Sequence, residues 1–85
     1  MKDVSEQETL LLQLAGVQSA VAFQSFLKQY HLEPLQVAIA SGVRYLTVWN
    51  IEHGNPVSRA HAALVSHGLR RLTGVPYRSP IFITS

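Results

Sequence analysis

The 85-residue sequence has no cysteine. That excludes a disulfide framework, a thiolate zinc site and a cysteine nucleophile, and it fits a reducing compartment. Charge is also scarce, at 14% of residues, whereas 47% are hydrophobic. Such a chain can fold and is not a disordered tail. Asp3 is the single aspartate. No serine sits in a nucleophile elbow, no glycine-rich loop is present to cradle phosphate, and no acid/base pair stands out. No enzyme and no cofactor are expected. No uninterrupted apolar run approaches the ~18 residues a membrane span requires. The start, "MKDVSEQETLLLQLAG", is of mixed charge and does not read as a secretory leader. The expected location is the cytoplasm, without membrane association. Repeats, low-complexity segments and linkers are absent too, so residues 1–85 read as one domain.

What charge there is lies unevenly. Residues 1–33 carry Lys2 and Lys28 against Asp3, Glu6, Glu8 and Glu33, a net of −2. Residues 34–85 carry Arg44, Arg59, Arg70, Arg71 and Arg78 against Glu52, a net of +4. Five arginines and no lysine in that half suit phosphate recognition, and they equally suit a solvated basic surface.

The periodicity predicts an all-α fold of five helices. Ser5 and Glu8 form a capping-box pattern before Leu10, Leu11, Leu12 and Leu14, giving an extra N-terminal helix over 5–15 that Gly16 ends. A second helix over 18–30 places Val21, Ala22, Phe26 and Leu27 at near-helical spacing, with Phe23 on an adjoining face. Pro34 opens a third helix to Ser41. Gly42 suits the left-handed turn after it. A fourth helix spans 44–52, with Val48 and Ile51 inward, and "HGNP" closes it. Ser58 caps a fifth helix to about Leu72, with Ala60, Leu64 and Leu72 inside and Gly68 as a weak spot. The core is therefore 18–73. Residues 74–85 form an extended tail in which "IFI" is a short strand or an apolar end.

Residues 34–54 meet the physical needs of a helix-turn-helix. Ala38 allows a close helix crossing, Gly42 makes the turn, and Val37, Val43, Val48 and Ile51 lock the second helix inward. The outer face of that helix is then free to enter a DNA major groove. The stretch "VAIASGVRYLTVWNIEHGNP" resembles the Cro/phage-repressor (Xre-like) helix-turn-helix family. The likeness rests on Val37-Ala38, Gly42-Val43, Thr47-Val48, Ile51-Glu52, Gly54 and Pro56 in register. It implies a lambda-repressor-like bundle that binds double-stranded DNA and regulates transcription. It also implies roles by position. Arg44 and Tyr45 open the recognition helix, Thr47 reaches phosphate, and Leu46 and Asn50 point at base edges. Asn50 suits direct readout, because its amide can pair with both polar edges of adenine, and Leu46 suits a thymine methyl. His53 and Arg59 are further phosphate candidates. Pro34 and Tyr45 stand where the family often has glutamine, and Leu27 stands where its usual arginine partner for Glu52 would be.

Other readings compete at several positions. Trp49 fits packing better than DNA contact. Glu52 fits an ion pair or cap better than catalysis. Arg70 and Arg71 fit a solvated helix face better than a phosphate clamp. His31, His53, His61 and His67 do not have zinc spacing; His61 and His67 are six apart, so no metal site is expected. One helix reads few base pairs, so a homodimer is expected, with the leucine-rich first helix and the "PIFI" segment as dimer surfaces. A different class of function stays open. Tyr45, Leu46 and Trp49 would also serve as an apolar patch for a partner helix, making the domain a protein-interaction module.

Overall fold

The structure, a computed structural model, describes the backbone of residues 4–84 and the side chains of residues 7–84. It is all-helical, with four helices among the described residues: α1 (Val4–Gln29), α2 (Pro34–Ser41), α3 (Tyr45–Glu52) and α4 (Arg59–Thr73). The expectation of five helices is corrected at residue 16. The first two predicted helices are one continuous rod of 26 residues, about 39 Å long at 1.5 Å per residue. Gly16 does not end it. A side chain there would collide with the Gly54 carbonyl oxygen, so the glycine serves a close approach between α1 and the turn after α3. Helix formers on either side carry the helix across a residue that costs about 1 kcal/mol. The Ser5–Glu8 pair consequently lies within the helix, which already includes Val4. Continuity has a second consequence. Gln7–Gln29 now forms one 23-residue segment long and apolar enough, by length and composition, to cross a bilayer. Counting uninterrupted apolar runs missed it, because uncharged glutamines and serines break the runs without adding charge.

The turn after α1 passes through His31, which takes the left-handed conformation at φ 54° without being glycine. The Leu32 N–H reaches back to the Leu27 carbonyl at 2.8 Å. Pro34 then opens α2, with the Gln36 Oε1 accepting from the Glu33 N–H at 3.0 Å. Gly42, at φ 70°, turns the chain into α3, and its own N–H caps α2 on Ile39. Arg44 is the N-cap of α3 rather than its first residue. Ser58 caps α4 as expected, its Oγ accepting from the His61 N–H at 3.1 Å.

One core joins the four helices. Phe23 and Leu27 come from α1, Val37 and Ala38 from α2, Val48 and Ile51 from α3, and Ala62, Val65 and Leu69 from α4. Val43 packs on its edge. Two expected faces are rotated. On α1, Phe23 is fully buried and Val21 is exposed. On α4, Ala60, Leu64 and Leu72 are exposed, and Ala62, Val65 and Leu69 point inward. Gly68 sets that phase. It faces Ser41 of α2 so closely that a Cβ would overlap the Ser41 hydroxyl.

The C-terminal segment is not a free extended tail. Tyr77 is buried edge-on to Phe23 and Phe26, with ring centroids 6.1 and 5.0 Å away. Ile81 and Ile83 pack against the core. Val57 and Ile83 make an isolated parallel bridge, and the Phe82 N–H donates to Ser19 Oγ at 3.1 Å. Ile81 and Ile83 of "PIFI" are thus half-buried against the chain's own core.

Candidate nucleic-acid interface

α2 and α3 are eight residues each and are joined through Gly42, Val43 and Arg44. Ala38 is buried at their junction, and the Val43 N–H bonds to the Ala38 carbonyl at 3.2 Å. Val48 and Ile51 are completely buried. Three and four residues apart lie one face, so the positions between them face out. α3 therefore turns Tyr45 (50% exposed), Leu46 (60% exposed) and Trp49 to solvent.

The expected contact residues divide into three groups. Arg44 is exposed at the N-terminus of α3, where the guanidinium adds to the positive end of the helix dipole. Thr47 and Asn50 are half-buried beside it. Asn50 Oδ1 accepts from Asn55 Nδ2 at 3.4 Å, and the Asn55 N–H binds the Asn50 carbonyl at 2.8 Å.

His53 caps α3 at the other end. Its ring stacks on Trp49, with centroids 4.0 Å apart and planes 20° apart. Its Nδ1 lies 2.8 Å from the Trp49 carbonyl. A carbonyl only accepts, so Nδ1 carries the hydrogen in this contact. Trp49, 38% exposed, thus stacks on the cap of its own helix. Glu52 lies 3.9 Å from His53 Nδ1. Gln24 Nε2 of α1 donates to the Glu52 backbone carbonyl at 2.6 Å, and Leu27 is buried in the core. Arg59, exposed, is the first residue of α4, directly after its cap.

Sequence reasoning missed four neighbours of this surface. Asn55 and Gln24, which bond the C-terminal end of α3, have no pattern that marks them. Leu35 and Ile39 (73% exposed) lie on the outside of α2. Their signal was available: Leu35, Val37, Ala38 and Ile39 cannot all face one core on a helix this short. At the start of α2, Pro34 has no N–H and Glu33 brings a negative charge, so that terminus is poorly suited to phosphate. Among the described residues no three His, Asp or Glu side chains gather at metal-binding distance. No family model, curated protein or solved structure matches the chain.

Proposed function

We propose that this protein is a non-catalytic, sequence-specific binder of double-stranded DNA, built as a lambda-repressor-like helix-turn-helix domain and acting as a homodimer in transcription regulation. The observation that carries the reading is the outward ridge of α3, with Arg44, Tyr45, Leu46 and Asn50 on the side away from Val48 and Ile51. A single helix of that width fits the major groove. Arg44, Thr47, His53 and Arg59 contact phosphate, and Asn50 and Leu46 read base edges. The test is a DNA titration across salt. Arg44→Ala weakens binding on every sequence and lowers the salt slope by about 1. Asn50→Ala relaxes one base position at ~1–3 kcal/mol. Equal loss on all sequences from Asn50→Ala contradicts the reading.

A second reading has its own observation. Leu35 and Ile39 of α2 and Tyr45, Leu46 and Trp49 of α3 are all exposed, an apolar weight unusual for a groove-facing surface. A protein partner bound there responds weakly to salt, whereas a phosphate-bound duplex is released as salt rises.

A further inference from the structure

α1 carries a second apolar stripe that the core does not use. Its buried face is Gly16, Ser19, Ala20, Phe23 and Leu27. Leu10, Leu14, Val17 and Val21 lie about 130° around the helix from that face, and each is more than half exposed. Their spacing of four, three and four residues is the a/d repeat of a coiled-coil seam. Leu11 extends the stripe, and Gln7, Gln13, Gln18 and Gln24 flank it without charge. Val17 and Val21 also line an open groove of about 600 Å³ whose other wall is Glu52, His53 and Gly54 at the end of α3.

We propose that this seam binds the same seam of a second copy of the chain, with the two α1 helices antiparallel. The proposal deepens the homodimer part of the function above and does not depend on DNA. Three arguments select this occupant. A stable interface takes on the order of 800 Å² from each partner, and five half-exposed leucine and valine side chains with their glutamine flanks offer that order of area. No charge lies in the seam between Leu10 and Val21, so two copies meet there without repulsion, and antiparallel packing opposes the helix dipoles. A bilayer is a poor occupant. The face holding Phe23 and Leu27 is already covered by protein, so the helix cannot span without unmaking the domain. An interfacial helix also favours basic residues on its polar face, and between Gln7 and Val21 the only charged residue is Glu8.

In the antiparallel register Leu10 of one copy meets Val21 of the other. The absence of native cysteine makes this directly testable. Leu10→Cys and Val21→Cys chains, mixed and mildly oxidised, are expected to form the mixed disulfide in preference to either homodimer. Sedimentation at micromolar concentration is expected to give two chains for the wild type and one for Leu14→Glu/Val17→Glu at unchanged helical content by circular dichroism. A monomeric wild type, a double variant that still dimerises, or Leu10-to-Leu10 cross-linking overturns the proposal. So does flotation of a monomeric wild type with phosphatidylcholine/phosphatidylglycerol vesicles. Should Leu10-to-Val21 cross-linking hold while no DNA sequence is bound, the seam stands and the DNA reading falls.

Discussion

Three residues carry most of the testable physics of this fold. Gly68 sits opposite the Ser41 backbone and hydroxyl. Alanine is ordinarily the better helix residue by about 1 kcal/mol, but here its methyl has no room. Gly68→Ala is therefore expected to lower stability by about 1–3 kcal/mol, as overpacking does, which urea denaturation reads directly. His31 shows the opposite case. Its left-handed backbone costs an L-residue about 1–2 kcal/mol, and glycine adopts it freely. His31→Gly is expected to raise the denaturation midpoint. Tyr77 is a pH-dependent element. Burial pushes its hydroxyl above the usual tyrosine range; Ser79 offsets part of this, yet no well-formed hydrogen bond satisfies the oxygen. The folded state thus prefers the neutral phenol. That preference is fully present below about pH 10, the unfolded value, and is lost as pH rises through the higher folded value. Alkaline melts are expected to show a stability loss that Tyr77→Phe abolishes.

At the level of helices, α3 is held from both ends by contacts of different visibility. Gly42 and Ser58 were legible as turn and cap, because glycine and serine at those places have few other uses. Val37, Ala38, Val48 and Ile51 were legible as the inner faces of α2 and α3, because a helix of eight residues offers only one place for them. The join of α1 was not legible. Gly16 reads locally as a stop signal, and only the distant Gly54 backbone turns it into a contact. The phase of α4 was not legible for the same reason, since the Gly68–Ser41 contact lies 27 residues apart in the chain. Of the candidate contact residues of α3, Tyr45 and Leu46 were legible as outward, whereas Thr47 and Asn50 are half-buried. Asn55, which bonds Asn50, and Gln24, which bonds the Glu52 carbonyl, were not legible, because an asparagine in a turn and a glutamine on a helix have no distinguishing spacing. Gln24→Ala removes the bond to the Glu52 carbonyl. At an exposed site it is expected to cost about 0.5–1 kcal/mol of stability and to loosen the C-terminal end of α3, seen as faster amide exchange at His53 and Gly54.

The molecule as a whole is elongated, 49 × 22 × 18 Å, with α1 as its long axis. Its charges separate along the chain. The net −2 of the first 33 residues contrasts with the net +4 of the rest, which contains α2, α3 and α4. On the proposals above, the apolar seam of α1 serves a second copy and the arginine-bearing part serves the duplex. The central claim is that the ridge of α3 reads a duplex. Selection from a random double-stranded DNA pool at physiological salt tests it most directly. The expected result is a palindrome whose half-sites lie about one helical turn, ~34 Å, apart, with one base position per half-site relaxed by Asn50→Ala. Recovery of no enriched sequence, or of binding that salt does not weaken, would contradict it.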